Sequence, residues 1–142
     1  MNRRLFLRLL ALSTALTLAA TAWAASSAEK GPTPSTISNG AKVDLKNYLV
    51  AGKTTVFDFY SKYCPPCRAI SPRLDQLHKS HADIAVVRVD INRPDVKGID
   101  WQSPVAREFD LESIPHFKIY GPDGKLIAEG QEARDLVEKW MD

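Results

Sequence analysis

The chain has 142 residues, 44% of them hydrophobic and 25% charged. That balance suits one ordinary globular domain and excludes a disordered, fibrous or low-complexity chain. The formal charge of +2 belongs to the first residues: removing Arg3, Arg4 and Arg8 takes away three positive charges and no negative one, leaving −1. The remainder has no basic cluster to neutralise a row of phosphates, which excludes nucleic acid as a partner.

Residues 1–24 read as a secretory signal peptide. The three arginines supply a charged start, Leu9 to Ala20 is an apolar run broken only by Ser and Thr, and Ala22-Trp23-Ala24 offers a small-x-small cleavage site. A transmembrane anchor is the alternative, but the run is shorter than the roughly 20 apolar residues a bilayer requires. Cleavage is expected between Ala24 and Ala25, leaving no membrane anchor. Asn2 to Arg8 is also similar to a twin-arginine signal, so two export routes are open. Both lead to the bacterial periplasm.

Residues 25–42 are small, polar and rich in Gly and Pro, which predicts a flexible leader. The folded domain is expected to occupy 43–142. Asp44 can cap a short helix with Leu45, Tyr48 and Leu49 on one side, ended by Gly52. Thr54 to Tyr60 is a β-branched and aromatic run suited to a buried strand. From Pro66 to about Ser80, Ile70, Leu74, Leu77 and His78 recur at helical spacing, with Pro66 in the first turn and Pro72 inside the pattern. His78 and His81 read as surface residues at the end of that helix. Ile84 to Asp90 is a second strand, and strand, helix, strand make a parallel crossover unit.

Residues 91–102 lack periodicity and form a long loop carrying Trp101. Ser103 caps a short helix with Pro104 in its first turn. His116 to Tyr120 alternates, Gly121 to Gly124 is a turn, and Lys125 to Glu129 completes a hairpin. Gln131 to Met141 closes the chain as a helix offering Leu136, Val137 and Trp140 to a core. The order of elements gives an α/β sheet with helices on both faces.

Cys64 and Cys67 are the whole thiol inventory. An export signal places them where disulfides persist, yet a bridge closing so short a loop adds little stability, so redox or metal chemistry is the better reading. Cys64 stands at the start of a helix, where orphan amides and the positive end of the dipole favour a thiolate. Cys67, one turn in, can resolve a mixed disulfide formed on Cys64. A structural zinc site needs four ligands and there is no second cysteine pair.

With Phe57-Asp58-Phe59-Tyr60-Ser61-Lys62-Tyr63-Cys64-Pro65-Pro66-Cys67-Arg68 followed by Pro72 and Ile114-Pro115, the chain from about Val43 onward resembles the thioredoxin family. The resemblance implies a thioredoxin fold, with a central mixed sheet flanked by helices, and a redox-active disulfide between Cys64 and Cys67. It implies a cis Pro115 facing that disulfide, with Ile114 and Pro115 lining the substrate groove. It implies that Asp58 is a buried carboxylate assisting proton transfer at Cys67, with the raised pKa that burial imposes; a solvent-facing Asp58 is the bland alternative. Arg88 occupies the place of a lysine in thioredoxins.

Some features depart from that pattern. Tyr60 and Tyr63 replace two tryptophans, Pro65 replaces a glycine, and the stretch from Asp90 to Ile114 is longer. His116, next after Pro115, either approaches Cys64 or points away along the strand.

The expectation is a monomeric thiol-disulfide oxidoreductase of the periplasm that acts on protein disulfides, uses no cofactor or metal, and takes electrons from a membrane partner. Reduction of substrates is the preferred direction. A periplasmic thiol oxidase, a cytochrome c maturation reductase and a non-enzymatic metal carrier on the same fold are the rivals.

Overall fold

The computed structural model describes residues 33–142, so the expected signal peptide, 1–24, and the start of the expected leader lie outside the described residues. Strands β1 (Ser35–Ile37), β2 (Thr54–Tyr60), β3 (Ile84–Asp90), β4 (His116–Tyr120) and β5 (Leu126–Glu129) alternate with helices α1 (Pro65–Ser80), α2 (Pro104–Glu108) and α3 (Gly130–Met141). They form one sheet in the order β1-β3-β2-β4-β5. β1 and β2 run parallel to β3, whereas β4 is antiparallel to both β2 and β5. This is a thioredoxin fold.

The alternation of side chains along a strand sorts the core into two halves. Val56, Val86, Phe117 and Ile119 face Leu74 and Leu77 of α1 and Ala133 and Val137 of α3. Phe57, Phe59, Val87 and Val89 face Val105 and Ala106 of α2 and Leu45. β2 is central, so both of its faces are covered. Asp58 falls on the α1 face.

Ser35–Ile37, which composition assigns to a leader without structure, pairs in register with Val87 to Val89. Ile37 is buried in the α2-side core, and this anchors the short edge strand. A strand of three residues whose partner lies some fifty positions away leaves no local signal. The turn after it depends on Gly40, whose φ is +81° and whose Cβ, were one present, would stand 2.6 Å from the backbone nitrogen of Arg93. Only glycine fits there.

Asp44 does cap a helical turn, but it is a short 3-10 helix, Leu45–Tyr48, in which Leu45 is buried and Tyr48 is 43% exposed. His78 is a correction. It is buried rather than at the surface, and its Nδ1 accepts a 3.0 Å hydrogen bond from the Val86 amide, tying α1 to β3.

The loop after β3 is pinned by side chains. Asn92 donates to the carbonyls of Val96 and Gly98 at 3.3 and 2.6 Å, and Arg93 forks onto the Asp100 carboxylate at 2.7 and 3.0 Å. Trp101 stands at its end, 37% exposed. Among the described residues no helix is long and apolar enough to cross a membrane.

Candidate active site

β2 ends at Tyr60 and the chain turns at once into α1, whose N-cap is Cys64. Pro65 and Pro66 fill the first two helical positions, where a missing N–H costs nothing and a fixed φ suits the helix. Their consequence is chemical. With no amide on either proline, Cys67 is the first residue of the turn able to donate, and its N–H points at Cys64 Sγ from 3.2 Å. That amide and the helix dipole are what the fold offers a thiolate at Cys64.

Cys64 and Cys67 are joined by a disulfide with Cα atoms 5.3 Å apart. Both are buried, Cys64 at 1% exposure and Cys67 at 0%, so the two sulfurs differ little in access in this state. The Ile114–Pro115 peptide is cis, and the Ile114 carbonyl oxygen lies 3.6 Å from Cys64 Sγ. The cis bond and its place facing the disulfide, both implied by the resemblance, are present: the segment before β4 passes directly over the first cysteine. Arg134 of α3 holds it there by donating to the Pro115 carbonyl at 3.0 Å. Pro66, Ala69, Ile70, Arg73, Pro115 and Arg134 enclose a shallow groove of about 280 Å³ beside the disulfide.

Asp58 is wholly buried on the α1 face, and neither of its oxygens has a hydrogen-bond partner among the described residues. Burial pushes its pKa up to about 7; the nearby Arg88 guanidinium works against that rise and Asp75 adds to it. The solvent-facing alternative is thus ruled out. Arg88, in register with Asp58 on β3, turns to α1 instead, with Nη2 2.8 Å from Asp75 Oδ1 and 3.2 Å from the Ser71 carbonyl oxygen.

His116 lies on the other face of the sheet from Asp58. Its ring meets Phe59 edge-on at 5.7 Å between centroids, and its Nε2 is 3.5 Å from Glu129 Oε1, too long for a good hydrogen bond. Burial lowers its pKa from 6.5, and Glu129 opposes the shift. At neutral pH this imidazole is uncharged and supplies no cation for a thiolate. Among the described residues no cluster of three or more His, Cys, Asp or Glu is placed to hold a metal ion.

Asp75, Ser71 and Arg134 are not among the residues the sequence singles out. A signal for two of them is present in hindsight: Cys67, Ser71 and Asp75 stand at i, i+4 and i+8, one stripe of α1. Arg134 carries no such mark, since its partner is a backbone carbonyl on another element.

The thioredoxin family model matches residues 39–142. Thioredoxin H-type of Brassica campestris is 32% identical over 118 residues, covering 80% of this chain and 89% of the relative. Thioredoxin-1 of Schizosaccharomyces pombe is 29% identical over 86 residues, covering 61% and 75%. Among solved structures, oxidised mitochondrial thioredoxin 3 of Saccharomyces cerevisiae has a TM-score of 0.52 at 26% identity, covering 75% of this chain and 92% of that one. The match runs from the turn after β1 to the end of α3, and on that footing the chain belongs to the thioredoxin family and is a disulfide oxidoreductase.

Proposed function

We propose that this protein reduces protein disulfides in the bacterial periplasm, reached through cleavage of residues 1–24. One observation carries the chemical reading: a disulfide at the cap of α1 lies under the Ile114 carbonyl, with an unpaired buried carboxylate on the face of β2 that α1 covers.

In the reduced protein the Cys64 thiolate attacks one sulfur of a substrate disulfide. The substrate S–S bond breaks, its electron pair leaves on the second sulfur as a thiolate, and a Cys64–substrate disulfide forms. Cys67 then gives its proton to Asp58 and attacks Cys64 Sγ, which expels the substrate's other sulfur and closes the Cys64–Cys67 bridge. Substrate gains two electrons and the motif loses two. A carboxyl that titrates near neutrality suits this exchange, because a group matched to the working pH takes and returns a proton with little penalty. The substrate chain lies along Ile114 and Pro115 and into the groove closed by Arg73 and Arg134. No cofactor takes part. The periplasm is kept oxidising, so the dithiol is restored by a partner at the inner membrane.

Direction is read from the potential. Equilibration with glutathione should give a value near that of thioredoxins, about −270 mV; one near about −120 mV would make the protein an oxidase. The purified dithiol should reduce insulin and retain no metal; retention of metal without turnover would favour a carrier. Fractionation of cells and mass spectrometry of the mature protein, expected to begin at Ala25, test the localisation.

A further inference from the structure

Asp58 and Arg88 are register partners on neighbouring parallel strands, so their side chains leave the sheet on the same face. An arginine beside a buried carboxylate ordinarily closes a forked pair on it. Here the fork is turned away. Arg88 Nη2 is taken by Asp75 Oδ1 at 2.8 Å and by the Ser71 carbonyl at 3.2 Å, while Arg88 Nε and both Asp58 oxygens are buried without a hydrogen-bond partner among the described residues. Two groups of opposite charge that could satisfy each other are kept apart by a third on α1. That arrangement leaves donor and acceptor bare, which costs stability and therefore calls for a reason.

We propose that Asp75 is a positioning residue for proton transfer: by holding the Arg88 guanidinium against α1, it keeps Asp58 out of an ion pair and free to accept the proton of Cys67. This rests on the function proposed above. An Asp58 locked to Arg88 would stay ionised and hydrogen-bonded, a poor store for a proton at neutral pH.

The groups around Asp58 give the proposal a sign. β3 presents Arg88; α1 presents Asp75 and, in the dithiol, Cys67; its own strand presents Tyr60 two residues on. From β4 and α3 the cluster on this face receives Phe117, Ala133 and Val137, none of them charged. Losing Asp75 removes a negative charge and releases Arg88 toward Asp58, and both changes favour the ionised carboxyl. Losing Arg88 removes a nearby positive charge and favours the protonated form. The two substitutions should therefore shift Asp58 in opposite directions, and in a chain that already lacks Arg88 the loss of Asp75 should lower the midpoint far less, which bare removal of charge would not do.

The test is a 13C NMR titration of the Asp58 carboxyl in the disulfide-bonded protein, for the natural chain and for D75N, D75E, R88M and the double variant D75N/R88M, beside the pH profile of insulin reduction. D75N should lower the titration midpoint by about one pH unit or more and R88M should raise it, as expected for charges near a buried carboxyl. D75E, which keeps the charge and lengthens the reach, should restore the natural midpoint. The acid limb of the activity profile should follow the same shifts. Asp75 is partly exposed, with 32% of its side chain open, so D75N is expected to fold. If D75N lowers the midpoint as much without Arg88 as with it, or if neither single variant moves it, in a protein that reduces insulin, the positioning role is overturned. If the midpoints split as expected but the natural protein reduces no disulfide at any pH, the function itself is the part that fails.

Discussion

Asp58 and Asp100 are both buried, at 0% and 3% exposure, yet among the described residues one has no hydrogen-bond partner and the other receives Arg93 Nε, Nη2 and backbone N–H at 2.7, 3.0 and 3.3 Å. Their pKa values diverge accordingly. Burial lifts Asp58 to about 7, while the hydrogen bonds from Arg93 hold Asp100 below its ordinary value. The contrast teaches that burial by itself assigns no role to a carboxylate. Given a forked partner it becomes a pin for a loop, and denied one it becomes a place to keep a proton.

The largest expected effect is on stability against pH, because the two aspartates have opposite signs. Asp58 keeps its proton in the folded state up to about 7 and loses it near 3.8 when unfolded. Between those values the folded state binds more protons, so Asp58's contribution falls as pH rises, by on the order of 4 kcal/mol in total. Asp100 works the other way: its stabilisation is present above the unfolded value and disappears as pH falls through the lowered folded one. Urea unfolding at pH 5 and pH 8 should show D58N gaining most at pH 8. Equal gains at both pH values would mean that Asp58 is not protonated in the fold.

Activity should sharpen the same contrast. D58N is expected to slow insulin reduction at pH 7 on the order of 10²-fold, the usual contribution of a positioned acid–base group. D100N should leave the rate within about twofold, because its partners all lie in the loop after β3, and should instead cost about 2 kcal/mol of folding stability through a lost charged hydrogen-bond pair. A D100N protein that folds well but reduces slowly would make the loop part of the active site.

The difference between the two aspartates also separates what is legible in the sequence from what is not. β2, β3 and β4 run from the first to the last residue that composition predicts, since β-branched and aromatic runs bounded by Gly, Pro and Asp mark strands locally. Asp58 is visible because a lone carboxylate interrupts such a run. Asp100 is not, because its burial comes from Asn92 and Arg93 folding the loop back over it, and no periodicity records that. The burial of His78 escapes for a related reason. Its place in the apolar stripe of α1 is plain, but the Val86 amide that satisfies it belongs to another strand. Likewise Ser35–Ile37 is a strand only because β3 is there to pair with it. The site follows the same division: Cys64, Cys67 and the cap are local, while the placement of Ile114 over Cys64 Sγ and of Arg134 on Pro115 depends on how distant elements meet.

The smallest expected effect concerns that last contact, and it tests whether the groove beside Pro115 binds substrate. Arg134 reaches the Pro115 carbonyl by a hydrogen bond of 3.0 Å and lines the groove with Arg73. R134Q removes the charge and loosens the peptide that passes over Cys64. The loss of one such bond is worth about 1 kcal/mol, or roughly fivefold. If the groove holds the substrate chain equally before and during exchange, that factor should appear in KM with kcat unchanged, since removing uniform binding leaves the chemical step alone. A fall in kcat at constant KM would mean that Arg134 acts on the reacting sulfurs through the position of Ile114, and that it belongs with Asp58 rather than with the loop's Asp100.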